Sequence, residues 1–294
     1  MEKTVVFGGS GFIGSHVADE LSAKGYGVVV FDRQPSPFLK ENQAMVTGDL
    51  LDREAVGRAV EGATAVFHFA GLADIAESAK RPWETLETNV MGTCAILEAC
   101  ADAGVAHIVF ASTMYVYNEL GSFYRVSKQA CEKLIEEYAR AFGLGYTILR
   151  IGTPYGPRAN AFNSIGSMMR QACGEKKLTC YGAPDEVREY IHVFDLAETC
   201  VGCLEKGAEN RHVIMTGSEA VRLDHLTQMI REILGKDVAV EYRPRKTSGH
   251  YRLTPYAYKP ERAVKLSPAH HHDLGQGLLE MCYELGCNTW EDKG

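Results

Sequence analysis

The stretch VVFGGSGFIGSHVADEL, residues 5–21, decides the fold. It begins in a short β-branched run, residues 3–7, that predicts a buried strand. Gly8, Gly11 and Gly14 follow at every third position, and apolar side chains then recur at helical spacing. Glycines between a strand and a helix allow a tight turn, a close approach of the backbone to a pyrophosphate, and close helix–strand packing. The free N–H groups of the helix start favour phosphate, so this stretch predicts a dinucleotide-binding turn.

An acidic residue supports this interpretation, because Asp32 ends the next predicted strand, GVVVFD. Its carboxylate can accept hydrogen bonds from the adenosine ribose hydroxyls and would repel a 2′-phosphate, which favours NAD over NADP. Arg33 follows directly and can soften that preference. The alternative is that Asp32 is an ordinary turn residue. Asp49, in TGDLLD, is predicted to lie beside the adenine or, as an alternative of nearly equal weight, to cap a helix or turn.

Strands and helices alternate along the first half of the chain, which predicts a parallel, doubly wound α/β sheet of the Rossmann type. After the two predicted strands already described, the alternation continues with strands at 43–49, 63–71, 106–113 and 145–150 and helices at 52–62, 81–104 and 123–143.

The regular alternation of strands and helices ends after Arg150, and residues 151–160 predict a loop. Further helices are predicted at 162–175, 223–235 and 277–286, and further strands at 212–217 and 238–245. We therefore predict a second, smaller, partly interleaved α/β domain that binds substrate. The NAD-binding domain is predicted at 1–152 plus about 185–216, and the substrate domain at about 153–184 plus 217–294.

Composition excludes several classes of function. The chain has 294 residues, 46% of them hydrophobic, and a net charge of −7 with no basic stripe, so nucleic acid is not expected as a partner. No apolar run approaches the roughly 20 residues of a membrane span, and a cytoplasmic protein is predicted. The nine cysteines show no framework spacing and are expected to be reduced. Cys200 and Cys203 fit a helix better than a metal site, and the run 270–272 of three histidines fits a solvated turn, so no metal ion is expected.

A second stretch, FASTMYVYNELGSFYRVSK (residues 110–128), places Tyr124 and Lys128 four residues apart, on one face of a predicted helix. Two hydroxyls, Ser112 and Thr113, end the preceding predicted strand. A Tyr–Lys pair at this spacing is common by chance, so an ordinary helix start is the alternative. Behind a dinucleotide-binding half, a proton-transfer site is the favoured interpretation.

Taken together, these stretches resemble the extended short-chain dehydrogenase/reductase family, in its nucleotide-sugar epimerase/dehydratase branch. The resemblance covers most of the chain and is greatest to the hexose 4-epimerases. The segments that carry it, in chain order, are GGSGFIGSHV, FD, GDLLD, VFHFAGLADIAES, RPWETLETNVMGTCAILEAC, FASTMYVY, YRVSK, LRIGTPYGPR and VREYIHVFDLAE.

The resemblance implies a role for each site residue. Tyr124 would be the catalytic acid and base, and Lys128 would bind the nicotinamide ribose and lower the pKa of that Tyr. Thr113 would hydrogen-bond the sugar hydroxyl, with Ser112 behind it. Arg188 would hold the nucleotide diphosphate of the substrate.

The resemblance also implies NAD as the cofactor, a nucleotide sugar as the substrate, and a homodimer that pairs the 81–102 and 122–142 helices. Asn89 would lie near the active site on the first of these helices. The cofactor contacts implied are Gly8, Gly11, Phe12, Ile13, Gly14, Asp32, Asp49, Leu50, Phe69, Ala70, Gly71, Asn89, Ser112, Tyr124 and Lys128.

Two positions after Thr113 narrow the predicted reaction. Dehydratases of the branch carry Asp and Glu there, and decarboxylases carry a Glu at the second; here the residues are Met114 and Tyr115. Methionine transfers no proton and Tyr is a poor substitute for a carboxylate, so both reactions are disfavoured. We predict epimerisation at C4 through a 4-keto intermediate. The alternatives are a one-way 4-dehydrogenase or 4-keto-reductase and, from another class, a nucleotide-binding sensor without catalysis.

Two departures from the family concern the substrate. The connector NELGSF, residues 118–123, is shorter than usual, and Thr153 stands where relatives carry an Asn. A short connector should open the sugar pocket or change what closes it, so we hypothesise a sugar larger than, or different from, a common hexose. The C-terminal part, including YRPRKTSGHYRLTPYAY at residues 242–258, is expected to supply the rest of the nucleotide pocket. Three of its residues are either phosphate contacts or solvated surface groups: Arg243, Arg245 and Arg252.

Overall fold

The computed structural model of this chain describes residues 1–205, 208–235, 237–244, 249–254 and 263–287. In chain order its strands are β1 (Lys3–Phe7), β2 (Gly27–Asp32), β3 (Gln43–Thr47), β4 (Ala65–His68), β5 (His107–Thr113), β6 (Gly145–Ile151), β7 (Thr153–Tyr155), β8 (Lys177–Tyr181), β9 (Val187–His192), β10 (Arg211–Met215), β11 (Ala220–Arg222), β12 (Ala239–Arg243) and β13 (Val264–Lys265). Its α-helices are α1 (Phe12–Ala23), α2 (Arg53–Val60), α3 (Ile75–Lys80), α4 (Pro82–Leu86), α5 (Gly92–Ala103), α6 (Ser122–Phe142), α7 (Ser164–Glu175), α8 (Val193–Gly202), α9 (Leu223–Leu234) and α10 (Leu274–Glu284).

Within the described residues, eight strands form one parallel sheet in the order β13-β10-β6-β5-β4-β1-β2-β3. One face of the sheet packs on α2, α5 and α6, and the other on α1 and α8. This confirms the predicted doubly wound fold. Strand order reverses at β1, which lies between β2 and β4, so the carboxyl ends of β1 and β4 flank the crevice where such sheets bind ligands.

The predicted long helix at 81–104 is interrupted. The structure has α4, then a π-helical turn at Glu87–Met91, then α5. A π turn inserts one residue into the helical repeat, and this one directs Asn89 inward, where it is buried. Helix α3 was not predicted; the side chain of Asp74 caps its first turn by accepting from two backbone N–H groups.

A smaller part of the chain builds two further sheets, ordered β11-β9-β7 and β12-β8. Strand β7 lies within the segment 151–160, so the prediction of a plain loop there was wrong for three residues. It pairs in parallel with β9, which fixes the chain just beyond β6. A separate apolar cluster from α7, α9 and α10 packs against these strands. The division into two domains at the predicted boundaries stays a prediction.

The expectation that all cysteines are reduced was wrong, and the expectation of a solvated histidine turn holds only in part. Cys173 and Cys287 form a disulfide, because α7 and the end of α10 bring their Cα atoms to 5.9 Å. The predicted solvated turn of histidines is only partly solvated, because His272 pairs with the carboxylate of Asp195 and stacks on His192 at 4.4 Å between ring centroids. The helical interpretation of the CxxC is confirmed, since both thiols are buried on or beside α8.

The search for membrane spans covered the described part of the chain. No helix there combines the length and the apolar character needed to cross a bilayer.

Candidate active site

A cavity of about 630 Å³ opens at the carboxyl ends of the central strands, and a second cavity of about 440 Å³ adjoins it. The two share Phe162, Ser164, Arg188 and His250. Of the residues predicted for the site, all but Asn89 line the first cavity: Gly8, Gly11, Phe12, Ile13, Gly14, Asp32, Asp49, Leu50, Phe69, Ala70, Gly71, Ser112, Thr113, Tyr124, Lys128 and Arg188.

The glycine turn is built for close approach of a ligand. Gly8 has a positive φ of 79°, and a Cβ atom there would lie 2.6 Å from the backbone nitrogen of Ala70. A Cβ atom on Gly14 would meet the carbonyl oxygen of Gly8. Only glycine fits at both positions, and the result is a bare backbone cradle at the start of α1, which suits a pyrophosphate.

The carboxylate of Asp32 is oriented at the edge of this cradle. Its two oxygens accept from the backbone N–H of Ser10 at 3.1 Å and of Gln34 at 3.3 Å. Asp49 accepts from the backbone N–H of Leu51 at 2.9 Å, so it is a turn residue that also lines the cavity. A bare cradle with a fixed carboxylate beside it fits the pyrophosphate and adenosine ribose of NAD.

The reacting side chains come from β5 and α6. Thr113 ends β5, and its side chain lies close enough to that of Tyr124, in the first turn of α6, to lower the pKa of the phenol. Burial raises the pKa of Tyr124 to about 12, while the hydrogen bond from Thr113 lowers it. The sequence predicted a lowered pKa for Tyr124 beside Lys128 and bound nicotinamide. The protein without its cofactor does not lower this pKa. Desolvation disfavours the phenolate and outweighs the hydrogen bond.

Lys128 lies one turn further along α6, and its side chain is buried. Its Nζ atom is 4.6 Å from the ring centroid of Phe110 and 5.8 Å from that of Tyr124. Burial lowers the pKa of Lys128 to about 8, because an apolar surrounding disfavours the ammonium. Keeping the Lys128 ammonium charged in this buried position therefore lowers the stability of the ligand-free protein.

A buried polar network supports the end of β5. The hydroxyl of Ser112 donates to Glu132 at 2.6 Å, and Arg150 donates to both oxygens of the same carboxylate. Arg150 also donates to the hydroxyl of Tyr117 at 2.9 Å. Since Ser112 and Arg150 are paired residues on β5 and β6, the network locks the two strands beneath the reacting hydroxyls.

Asn89 is buried and does not line either cavity. Its Oδ1 atom accepts from the backbone N–H of Leu72 at 2.7 Å, and its Nδ2 donates to the Leu72 carbonyl and to Ser127 Oγ. It therefore connects the loop after β4 to the residue before Lys128. A direct cofactor contact was predicted; the structure gives Asn89 a positioning role.

Arg188, on β9, reaches both cavities. Its Nη2 atom donates to the Tyr251 carbonyl at 3.2 Å and lies 3.8 Å from the buried carboxylate of Glu186. Arg243 and Arg252 pair instead with surface carboxylates and line neither cavity, so they are surface groups. Arg245 lies outside the described residues.

Sequence reasoning missed His250 and Tyr251, which line the first cavity from a segment 122 or more residues after Lys128. The hydroxyl of Tyr115 lies 2.8 Å from Nδ1 of His250, and its ring centroid is 4.8 Å from that of Tyr251. The stretch 242–258 was expected to complete the nucleotide pocket, but no local pattern singles out these two residues, because their position depends on tertiary contacts.

Known proteins resemble this chain in sequence and structure. Residues 4–216 match the NAD dependent epimerase/dehydratase family. A UDP-glucose 4-epimerase of Rhizobium meliloti (strain 1021) is 30% identical over 277 residues, which cover 82% of each chain. The crystal structure of a UDP-glucose 4-epimerase from Thermotoga maritima with UDP-glucose has a TM-score of 0.86 at 27% identity, covering 97% of this chain and 98% of that one. A UDP-glucose 4-epimerase of Thermus thermophilus in complex with NAD has a TM-score of 0.84 at 25% identity, covering 97% and 99%.

Proposed function

Because the chain belongs to the NAD dependent epimerase/dehydratase family, NAD is its cofactor, and we propose that it inverts C4 of a nucleotide-activated sugar. One observation carries the proposal: Thr113, Tyr124 and Lys128 line the same cavity as the glycine turn and Asp32. A proton-transfer group, its hydrogen-bond partner and a cation thus lie beside a dinucleotide site. That is the set needed to oxidise and reduce a sugar carbinol.

Each residue has a defined task in this proposal. Tyr124 takes the proton of the C4 hydroxyl and later returns it, and Thr113 holds the hydroxyls in line. Lys128 provides positive charge that favours the phenolate. NAD, held by the glycine turn and Asp32, would supply the hydride acceptor and donor for C4 and, in its oxidised form, a second positive charge near Tyr124.

The residues after Thr113 support epimerisation over elimination. Met114 is fully buried and carries no transferable proton, so the acid–base pair of a dehydratase is incomplete. C4 inversion needs no further acid or base, only room for the 4-keto sugar to turn. The second candidate is a one-way 4-dehydrogenase or 4-keto-reductase, which uses the same three residues.

The test is product stereochemistry. The protein is incubated with UDP-glucose and, separately, with UDP-glucuronate, and C4 configuration is followed by proton NMR while absorbance at the NADH band is recorded. We expect a C4 epimer with no net NADH. Accumulation of NADH with added NAD and no epimer would replace the proposal by the dehydrogenase.

We propose further that the protein is a cytoplasmic homodimer. Four large apolar side chains are exposed on α4, the π turn and α6, namely Trp83, Met91, Phe123 and Val126. Exposed apolar side chains on these helices fit their pairing with a second copy. Sedimentation of the wild type and of Trp83→Glu tests the dimer: we expect the substitution to raise the monomer fraction, and a monomeric wild type would exclude the pairing.

A further inference from the structure

Two segments outside the main sheet line the sugar end of the cavity. The first is the segment 249–254, where the carbonyl of Gly249 accepts from the backbone N–H of Gly121, in the short connector, at 3.1 Å. The second is the turn 159–163, which follows β7 and brings Asn160 into the lining of the first cavity. The short connector therefore changes what covers one side of the pocket, and the turn 159–163 forms another side.

The turn 159–163 is held in place by hydrogen bonds within the protein. Arg170, on α7, donates to the carbonyl of Asn160 at 2.7 Å, and the backbone N–H of Asn163 donates to the same carbonyl at 3.2 Å. The side chain of Asn163 donates to the carbonyl of Pro154 at 2.7 Å and so fixes the turn to β7. The backbone of Asn160 is therefore in position before any substrate binds.

Two asparagines of this turn line the cavity, and they differ in how their amides are used. Asn163 uses both ends of its amide, since Nδ2 donates to Pro154 and Oδ1 accepts from the backbone N–H of Gly166 at 2.9 Å. In Asn160 the Oδ1 atom is buried and has no hydrogen-bond partner among the described residues. A buried polar atom without a partner is costly, so the Asn160 amide needs a partner that the chain does not supply.

The strand register places residues 151–153 between the two ends of the substrate. The first of them is paired with Thr113 at the end of β5, and the last is paired with Tyr190 on β9, the strand that carries Arg188. In the proposed function C4 lies at Tyr124 and the diphosphate lies at Arg188. The sugar ring then lies along residues 151–153.

Asn160 is brought to the same place by the residue that comes next in the chain. Pro154 directly follows residues 151–153, and its carbonyl anchors the turn 159–163 through the side chain of Asn163. The unpaired amide therefore lies beside the sugar, whereas the glycine turn binds the cofactor.

A hydroxyl group fits this amide better than an anionic group does. An amide offers an acceptor at one end and donors at the other, and the two ends exchange places when the group turns over. A hydroxyl both donates and accepts, so it can pair with either end. A carboxylate or phosphate oxygen only accepts, so it would leave Oδ1 of Asn160 without a partner.

We propose that Asn160 is a specificity-determining residue that hydrogen-bonds a hydroxyl of the sugar other than the one at C4. This inference rests on the proposed function and adds a sugar contact to its site. The substrate class that follows is a nucleotide sugar that keeps this hydroxyl, and the corresponding deoxy sugar should be a poor ligand.

Equilibrium binding to the NAD-loaded protein separates a sugar contact from a phosphate contact. Asn160→Ala should weaken UDP-glucose about tenfold, because one hydrogen bond is lost, and should leave the affinity for UDP unchanged. Asn42→Ala, a matched change at an exposed asparagine, should alter neither affinity. Equal weakening of UDP-glucose and UDP would place the contact on the nucleotide. No weakening of either would mean that water satisfies the amide. Both results would overturn the proposal.

Monodeoxy analogues of UDP-glucose, at C2, C3 and C6, identify the hydroxyl. One of them should bind the wild type about tenfold more weakly than UDP-glucose and lose nothing further in Asn160→Ala, because the two changes remove the same hydrogen bond. If all three bind the wild type as tightly as UDP-glucose, the assignment is refuted, even when the variant fails to fold. These are binding measurements, so absence of a C4 epimer would count against the proposed function and leave the Asn160 contact standing.

Discussion

The two ends of the cavity are built in different ways. At the cofactor end, the glycine turn at 8–14 and Asp32 at the end of β2 form a local pattern that lies within 25 positions of the chain. The sugar end is made of side chains from β5, β9 and the segment 249–254. A nucleotide shared by a whole family can be bound by one local pattern. A substrate that differs between relatives is bound by groups that only the tertiary fold brings together.

The largest expected effect comes where the two ends meet. Tyr124→Phe should lower kcat about 10³-fold, within the usual range for removing an acid–base group, while NAD still binds. Single-turnover absorbance and NAD content after gel filtration measure the two properties separately. A variant with wild-type kcat would remove Tyr124 from the mechanism. A variant without bound NAD would show that Tyr124 is also needed for cofactor binding.

The second-largest expected effect concerns the free energy of unfolding, which depends on the charge of the buried Lys128. Its pKa is about 8 in the folded, ligand-free protein against 10.5 for the ordinary side chain, so the unfolded chain binds more protons between these pH values. The penalty that Lys128 imposes on stability should therefore shrink as pH rises from 8 to 10.5, and below pH 8 it is present in full. The difference between the two pKa values corresponds to about 3 kcal/mol.

The matched variants for this prediction are Lys128→Met and Lys133→Met, the second exposed on the same helix. In urea unfolding at pH 7, the first should be more stable than wild type by up to about 3 kcal/mol, and this difference should shrink as pH rises from 8 to 10.5, though the variant loses activity. The second should change stability by less than about 0.5 kcal/mol. A destabilised Lys128→Met would mean that the ammonium is well compensated inside the protein.

At the cofactor end, Asp32→Asn should reduce the preference for NAD over NADP about 30-fold, because a charged acceptor for two hydroxyls is lost together with its repulsion of a 2′-phosphate. Fluorescence titration with both cofactors measures the ratio. Asp49→Asn, which keeps a turn-forming side chain, is the control and should change the ratio less than threefold. An unchanged ratio in Asp32→Asn would mean that other groups, such as Arg33, determine the preference between NAD and NADP.

The smallest effect is expected at the sugar end. Arg188→Lys keeps the charge beside Glu186 but loses the two-pronged donor, so KM for the nucleotide sugar should rise about tenfold with NAD affinity unchanged. Steady-state kinetics at saturating NAD check this. A parallel loss of NAD affinity would show that Arg188 also supports the cofactor end.

Sequence reasoning reached much of this site because its residues sit at the ends of elements with clear periodicity. Gly8, Asp32, Thr113 and Tyr124 each follow or begin a strand or helix whose pattern is unambiguous, and parallel strands bring their carboxyl ends together. Asn89 does not line the cavity, because a π turn rotates it inward and no propensity predicts that turn. The disulfide was missed since cysteine spacing carries no information on a partner 114 residues away.

The predicted lowering of the Tyr124 pKa, which includes the charge of bound nicotinamide, stays a prediction, because the ligand-free protein shows only the effect of burial. A Lys at i+4 suggests a lowered pKa, but the balance depends on how much water both groups lose, and burial dominates both pKa values. His250 could not be predicted for a similar reason. It reaches the cavity only because Gly249 meets the connector, a contact between residues 128 positions apart.

The segment 249–254 also has a kinetic consequence. It is hydrogen-bonded to the connector at Gly121, to β9 at Val187, and again to β9 where the backbone N–H of Glu189 donates to the Thr254 hydroxyl at 3.2 Å. A product that leaves past this segment must first break some of these bonds. We expect opening of this segment to limit product exit, so kcat should fall in viscous solvent independently of the speed of proton and hydride transfer.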